Sequence, residues 1–267
     1  MIRLSEIRRG VRNALPRTAM LAVKRIAYFG TAHTCVVCGS QVGRLLDQGY
    51  GYPMLEELQV VGGMKKANDE CPICRSNDRV RLIHLYTKHH SDLLRKPNRL
   101  LHIAPEQGLA DLWSNVSTLD YVPADFDRAR YRHLKQLQTF DLQSAPFPDE
   151  SFDWLICNHV LEHIPDDRRA MREIFRMLKP GGIALLQVPI SLVRTKTDED
   201  PSITDPAERI RRFGQGDHVR LYARDYYDRL AEAGFKVELW DAFAHDCERA
   251  RAWNLNPLEK LTVARKR

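Results

Sequence analysis

The sequence lacks any hydrophobic run long enough to cross a membrane as a helix. Such a helix needs ~18 or more consecutive apolar residues. Although 43% of the 267 residues are hydrophobic, no segment reaches that length. A clear secretory signal is also missing, because Lys24 and Arg25 interrupt the apolar part of the N-terminus and no clean cleavage site follows. These absences predict a soluble globular protein of the reducing cytoplasm.

Basic charge is concentrated in the first 30 residues and balanced elsewhere. The net charge is +6, and residues 1–30 hold seven basic residues against one acidic residue, which accounts for the whole surplus. Composition therefore gives no case for nucleic-acid binding by the rest of the chain. Apolar residues at helical spacing in 1–30 predict a basic arm that contacts membrane headgroups or nucleic acid. The alternative is an ordinary helix packed on the domain with a solvated basic face.

Only six cysteines occur, and four of them form two Cys-x-x-Cys pairs, Cys35 with Cys38 and Cys71 with Cys74. In a reducing compartment such pairs indicate a metal site before disulfides. Four thiolates complete the closed tetrahedral shell of a structural Zn²⁺, which leaves no open position for catalysis. The 32 residues between the pairs exceed the commonest spacing, so residues 45–64 should form a hairpin or small sheet. A redox pair and simple buried thiols are the alternatives.

The stretch from residue 141 to residue 182 predicts a strand, a helix and a second strand. Residues Phe152–Cys157 are a short apolar run typical of a strand buried on both faces. Asp166 is a helix-capping residue, and the apolar residues that follow it have the spacing of one helix face. Residues 179–182, Lys-Pro-Gly-Gly, should end that helix and lead into a strand over 183–190. This order predicts a crossover unit of an open parallel sheet.

The motifs PFPDESFD, NHVLEHIPDD and LKPGG occur in this order around one strand and one helix. Together they resemble the central motifs of the class I S-adenosylmethionine-dependent methyltransferases, and the methyltransferase type 11 group in particular. The resemblance runs from residue 99 to the C-terminus. It implies an α/β fold with a Rossmann-like, doubly wound, mostly parallel seven-stranded sheet, here preceded by the small zinc-binding module.

The implied activity is transfer of a methyl group from S-adenosyl-L-methionine to an oxygen or nitrogen of a small-molecule or glycan-like acceptor. We accordingly divide the chain into three parts. These are the basic arm (1–30), the zinc-binding module with a connecting helix (31–97), and the methyltransferase domain (98–267), in which residues 191–220 are an insertion or lid. The oligomeric state is open.

The first turn of the implied domain, in residues 99–108, departs from the family pattern. The family has an acidic residue followed by a glycine-rich turn, whereas His102 takes the acidic position and Ala104 and Glu106 replace two glycines. Gly108 is the glycine that remains. A turn with this composition is less tight, so we expect Glu106 to meet the ammonium group of the cofactor. The alternative is that the site has decayed and binds nothing.

Further cofactor-binding residues are expected at the ends of the next three strands. Asp125 ends the second strand, where a carboxylate accepts hydrogen bonds from a ribose diol; its alternative role is to cap a helix. The resemblance implies that the Asp141 carboxylate meets the adenine amino group and that Leu142 covers the ring. Asn158 and His159 follow the fourth strand, so they should face the cofactor or substrate pocket.

Methyl transfer to a hydroxyl or amine needs orientation and a base, and a histidine near neutral pKa suits the second task. The candidates, in order, are His163, His218 and His159, each of which has a purely structural alternative. The long polar insertion resembles a lid or binding loop. Its arginines would suit an anionic substrate group, or the insertion is a mobile solvated loop; these residues are Arg211, Arg212 and Arg220.

Three other functions remain open at this point. An RNA or protein methyltransferase would use the zinc module and basic arm to bind the macromolecule. A non-catalytic, zinc-stabilised interaction protein would have lost the cofactor through its altered first turn. A nicotinamide dehydrogenase is the weakest alternative, because no G-x-G-x-x-G motif follows the first strand.

Overall fold

The computed structural model of the protein describes residues 17–131, 133–134 and 136–267. In chain order the strands are β1 (His33–Thr34), β2 (Gln41–Val42), β3 (Leu46–Gln48), β4 (Val60–Val61), β5 (Lys66–Glu70), β6 (Asn98–Ile103), β7 (Leu119–Asp125), β8 (Gln138–Thr139), β9 (Phe152–Cys157), β10 (Leu178–Leu185), β11 (Ile190–Ser191), β12 (Asp198–Glu199), β13 (Arg220–Leu221), β14 (Lys236–Trp240) and β15 (Leu261–Arg265). The α-helices are α1 (Arg17–Ala27), α2 (Pro53–Glu57), α3 (Asp78–Leu85), α4 (Gln107–Trp113), α5 (Asp167–Met177), α6 (Pro206–Phe213), α7 (Tyr226–Glu232), α8 (Ala242–His245) and α9 (Cys247–Ala252). Residues 1–16, which include half of the predicted basic arm, lie outside the described residues.

The central sheet has seven strands in the order β14-β15-β10-β9-β6-β7-β8. Strands β10, β9, β6, β7 and β8 pair in parallel, whereas β15 runs antiparallel to both of its neighbours. The chain starts in the middle of the sheet at β6, moves to one edge, and then returns to build the other half. This order confirms the predicted Rossmann-like, mostly parallel α/β fold.

Both faces of the sheet are covered, because alternate residues of one strand enter two different cores. In β9, Trp154 and Ile156 join one core, and Leu155 and Cys157 join the other. The first core also contains the cysteine-bearing segment and α3, and the second contains the apolar face of α5. Strands buried in this way read as continuous apolar runs, which explains why the sequence located β9 without error.

The crossover from β9 to β10 has the predicted helix but a different second strand. Asp166 caps α5 with its carboxylate, which accepts a hydrogen bond from the Arg169 N–H at 2.9 Å. The prediction of a strand over 183–190 was wrong, because β10 begins at Leu178 and ends at Leu185. Residues 179–182 form an irregularity inside this strand, where pairing with β9 shifts between Leu178 and Ile183. Gly181 has φ +79° there, which suits glycine, so the motif marks a bulge instead of a turn.

The cysteine-bearing segment forms small antiparallel pairs of its own, β1 with β2 and β3 with β5. It is also tied to the rest of the chain, since Val60–Val61 pairs with Ile190–Ser191. Helix α1 has no buried residue, and Val23 and Ile26 are exposed on it. Among the described residues, no helix has the length and apolar character needed to span a membrane.

Candidate functional site

A cavity of about 600 Å³ opens at the carboxyl ends of the parallel strands. Its wall is formed by the turn after β6, the end of β7, the segment after β8 and the segment after β9. This edge is where ligands bind in open parallel sheets. Among the residues singled out from the sequence, those that line it are Glu106, Asp125, Asp141, Leu142, Asn158, His159 and His163.

The turn after β6 presents an ionised carboxylate to the cavity. Glu106 Oε2 lies 2.7 Å from His102 Nε2, and Glu106 Oε1 accepts a hydrogen bond from the Asn158 side-chain amide at 3.1 Å. His102 is fully buried and its second ring nitrogen lies 3.0 Å from the Tyr121 hydroxyl. Burial alone would raise the pKa of Glu106, but the hydrogen bond and charge of His102 hold this pKa below its usual value. Ala104 makes the turn with φ +48°, without the family's glycine.

Gly108 does not line the cavity. A Cβ atom at this position would lie 2.3 Å from Ser76 Oγ and 3.2 Å from Val37 Cγ1. The missing side chain therefore lets α4 pack directly against the second Cys-x-x-Cys turn. Sequence analysis did not find this contact, because it joins two segments that are distant in the chain.

The other half of the cavity surrounds Asp125 at the end of β7. Its Oδ1 accepts a hydrogen bond from the Asp127 N–H at 2.7 Å, and burial raises the pKa of this carboxyl. Phe126 is largely exposed beside it, and Leu142 is buried on the opposite wall. Asp141 caps the short turn Leu142–Ser144 by accepting from the Gln143 N–H at 2.9 Å. The cavity thus has carboxylates at separate points and apolar surface between them.

Arg79 is a lining residue that sequence analysis missed. It belongs to α3, in the segment assigned to the zinc module, yet its side chain reaches the same cavity as Glu106. Its buried Nε has no hydrogen-bond partner, and its guanidinium makes no ion pair with any residue that the structure describes. In the sequence, Arg79 looks like an ordinary residue of a connecting helix, so nothing predicted that it would line the cavity.

His159, Glu162, His163 and His218 form a cluster at one end of the cavity, called here the histidine–glutamate cluster. The rings of His163 and His218 stack edge to face at 4.7 Å, and His159 Nδ1 lies 3.4 Å from Glu162 Oε1. His218 is 6% exposed and lies behind His163, away from the cavity surface. His159 has φ +53°, which is uncommon for a side chain with a Cβ and often marks a functional site.

Burial controls the protonation of this cluster. It raises the pKa of Glu162 to about 8 and lowers the pKa of His218 to about 4. It also lowers the pKa of His159 and, opposed by Asp217, that of His163. Near pH 7 the three imidazoles are therefore neutral, so each offers a lone pair.

The insertion at 191–220 is folded and contains β11, β12, α6 and β13. Its arginines pair within the protein and do not line the cavity, so their binding of an anionic substrate group stays a prediction. Arg212 pairs with Asp198, and Arg211 pairs with Glu208. Arg220 is 3% exposed and donates to the carbonyls of residues 161, 164 and 165. The insertion contributes Gln215 and Asp217 to the cavity wall instead.

The four paired cysteines meet at one point. Cys35 Sγ lies 3.6 Å from Cys74 Sγ, Cys38 Sγ lies 3.9 Å from Cys71 Sγ, and all four sulfurs lie within 4.8 Å of one another. A tetrahedral zinc with Zn–S bonds of ~2.3 Å needs sulfurs ~3.8 Å apart. The residue after each pair closes a tight turn, because the N–H of Gly39 donates to the Cys35 carbonyl and that of Arg75 donates to the Cys71 carbonyl. These positions fit a closed four-thiolate shell.

Residues 104–186 match the sequence model of the family described as "Methyltransferase domain". The chain is 30% identical over 132 residues to the "Probable S-adenosylmethionine-dependent methyltransferase" of Mycolicibacterium smegmatis, an alignment covering 49% of this chain and 47% of that protein. It is 37% identical over 78 residues to the "Uncharacterized methyltransferase YcgJ" of Bacillus subtilis, covering 29% and 28%. It is 31% identical over 143 residues to "Trans-aconitate 2-methyltransferase" of Methylobacterium radiotolerans, covering 49% and 53%.

The chain spans about half the length, or less, of these curated relatives. The matched residues nevertheless contain β7, β9 and α5 and every cavity residue that the sequence singled out. The chain is thus similar to S-adenosylmethionine-dependent methyltransferases over a stretch that contains most of the cavity wall.

Proposed function

We propose that the protein is an S-adenosyl-L-methionine-dependent methyltransferase whose acceptor is a small molecule. The observation that carries the proposal is the Glu106 carboxylate, held ionised by His102 and Asn158 at the edge of a cavity of about 600 Å³. That carboxylate lies where the family's glycine-rich turn would be. The altered turn would then hold the cofactor in a different way, and a decayed site stays the alternative that cofactor titration tests.

The cofactor's amino-acid end would lie between Glu106 and Arg79. Glu106 would bind its ammonium group, and Arg79, which makes no ion pair among the described residues, would bind its carboxylate. Asp125 would accept hydrogen bonds from the ribose diol. Asp141 would meet the adenine amino group, and Leu142 would cover the ring.

S-adenosylmethionine would supply an activated methyl group for an acceptor oxygen or nitrogen, and its sulfur would leave with the bonding electron pair. The cofactor supplies the leaving group, so the protein mainly orients the two reactants. His163 and His159 line the cavity and are neutral near pH 7, so either could take the acceptor's proton. His218 is buried behind His163 and would act by positioning it.

A small-molecule acceptor is supported by the size of the cavity, about 600 Å³, and by one relative that is named as a trans-aconitate methyltransferase. The acceptor atom, oxygen or nitrogen, and a glycan-like acceptor stay predictions. For the cysteine cluster we propose a structural Zn²⁺ bound by Cys35, Cys38, Cys71 and Cys74. The three-part division of the chain at residues 30 and 97 also stays our proposal.

Calorimetric titration with S-adenosylmethionine, S-adenosylhomocysteine and NAD tests the cofactor. Both adenosyl ligands should bind and NAD should not. Asp125→Ala should weaken binding by about 10-fold or more, because it removes hydrogen bonds to a charged acceptor worth ~1.5–3 kcal/mol. Asp120→Ala, at an exposed position on the same strand, is the matched control and should bind normally. Absence of binding to both adenosyl ligands would refute the proposal and favour a non-catalytic interaction protein.

A further inference from the structure

Glu162 has an arrangement that the methyl-transfer site does not explain. Glu162 is 1% exposed, and neither of its carboxylate oxygens has a hydrogen-bond partner in the part of the chain that the structure describes. A buried carboxylate without partners is costly, and such groups are rare in native proteins. A bound cation would supply the missing partner.

The neighbouring side chains are those that bind transition metals. One donor atom each of Glu162, His163 and His218 lies within 4.8 Å of the others. His159 Nδ1 is 3.4 Å from Glu162 Oε1, and His159 Nε2 is buried without a partner. Two or three imidazoles and one carboxylate suit divalent first-row ions such as Mn²⁺, Fe²⁺ and Zn²⁺.

The imidazoles are oriented as metal ligands usually are. His218 Nδ1 lies 3.2 Å from the backbone carbonyl of Phe213, and His163 Nδ1 lies 3.3 Å from that of Asp217. A ring nitrogen that donates to a carbonyl leaves the other nitrogen with its lone pair free, which fixes the tautomer needed for metal binding.

The backbone holds the cluster together across a long stretch of chain. Glu162 and His163 lie in the short turn Leu161–His163, and the Val219 N–H donates to the Glu162 carbonyl at 2.9 Å. Arg220 donates to the Leu161 carbonyl at 2.8 Å. These bonds hold His218 beside the turn before any ion arrives, which is the pre-organisation that a metal site requires.

We propose that Glu162, His163 and His218 bind a divalent first-row transition-metal ion. Because His163 and His159 line the cavity, the ion would lie at its wall, next to the place for the acceptor. Nothing in the family match or in the named relatives assigns such a site.

The ion's part in catalysis rests on the proposed methyltransferase function, whereas metal binding itself does not. An acceptor hydroxyl bound to the ion would lose its proton more readily, because a metal-bound oxygen is a stronger acid. Because the ion would occupy the lone pair of His163, the proton would pass to water and not to this histidine. The acceptor O–CH₃ bond would form, and the S–CH₃ bond would break. The sulfur would keep the electron pair, which gives S-adenosylhomocysteine.

Titration of the full chain with Mn²⁺, followed by the loss of the free-ion electron paramagnetic resonance signal, tests the site. Mn²⁺ is the right probe because soft thiolates bind it poorly, so the four-cysteine cluster does not compete. Wild type should bind one equivalent. Glu162→Gln, which keeps the shape but removes the charge, and His218→Gln should each weaken binding by about 100-fold or more, since loss of outer-shell partners alone costs ~10–100-fold.

His245→Gln is the matched control, because His245 lies on α8 outside the cluster and should leave Mn²⁺ binding unchanged. Mn²⁺ should also raise the melting temperature of wild type but not of Glu162→Gln. No saturable binding, or wild-type affinity in Glu162→Gln, would overturn the proposal. Titration of the same samples with S-adenosylmethionine distinguishes the two proposals. Metal binding can fail while S-adenosylmethionine still binds, and cofactor binding can fail while Mn²⁺ still binds.

Discussion

At the scale of single residues, Gly108 shows how closely the cysteine-bearing segment is packed on the central sheet. Gly108→Ala would place a methyl group 2.3 Å from Ser76 Oγ, so neighbouring atoms must move. We expect a loss of about 1–3 kcal/mol in the free energy of unfolding, the usual cost of overpacking. Urea denaturation of wild type and variant measures this difference in the free energy of unfolding.

Gly51→Ala is the control for that measurement. A Cβ at Gly51 would meet nothing within 4 Å, and its φ does not require glycine. Because Gly108 is away from the cavity, the folded Gly108→Ala variant should bind S-adenosylmethionine as wild type does. Equal stability of the two alanine variants would contradict the packing role.

Sequence alone located most of the cavity wall but not the residues that complete it. Asp125, Asn158 and His159 follow strands, and parallel strands bring their carboxyl ends to one edge, so their proximity follows from topology. Arg79 could not be found in this way, because its position depends on how the cysteine-bearing segment packs. Glu162 reads as a turn residue, and only the three-dimensional structure reveals that its carboxylate lacks partners.

At the scale of elements, the buried Arg220 links the insertion to the segment after β9. Arg220 joins β13 to the carbonyls after Leu161 and to Glu199 on β12, at 3.0 Å. Arg220→Met should cost about 1–3 kcal/mol, because buried backbone carbonyls lose their donor, whereas Glu199 keeps its ion pair with Arg229. Hydrogen exchange over residues 198–221 should become faster as the insertion loosens.

Arg211→Met is the comparison for that experiment, because Arg211 is exposed and pairs only with Glu208 on its own helix. Exposed ion pairs contribute ~0–1 kcal/mol to stability, so hydrogen exchange over residues 198–221 should stay at the wild-type rate in Arg211→Met. Similar exchange in both variants would show that Arg220 does not hold the insertion.

Strand prediction succeeded where a strand is buried on both faces and failed where the backbone is irregular. Both ends of β9 and the end of β7 at Asp125 were located to the residue. β10 was misplaced because its Pro-Gly-Gly sequence indicates a turn, whereas pairing with β9 resumes beyond it. The pairing of β4 with β11 has no local signal in either two-residue segment.

At the scale of the whole molecule, the cysteine cluster and the sheet share one core. Cys35, Cys71 and Cys74 are buried in the cluster that contains Trp154 and Ile156 of β9. Loss of the proposed zinc should therefore lower the stability of the entire molecule in one transition. We expect Cys38→Ser to lower Tm by about 10 °C or more, since a structural zinc contributes several kcal/mol and each shifts Tm by ~2–4 °C.

Differential scanning calorimetry with metal analysis checks this expectation, with the solitary Cys247→Ser as the control. The control should keep its metal content and its Tm. Two separate transitions in Cys38→Ser, with the sheet still melting at the wild-type temperature, would show that the cluster folds as an independent unit.

The bond between Ser191 and Leu58 has a consequence for the order in which the protein is made. The Ser191 hydroxyl donates to the Leu58 carbonyl at 2.8 Å across 133 residues of chain, beside the pairing of β4 with β11. A ribosome adding ~5–20 residues each second needs roughly 7–27 s to cover that distance. Throughout that interval, the edge of strand Val60–Val61 is unpaired on the nascent chain, because its partner Ile190–Ser191 has not been synthesised. The time between synthesis of the two halves is therefore when this protein is most open to pairing with the wrong strand.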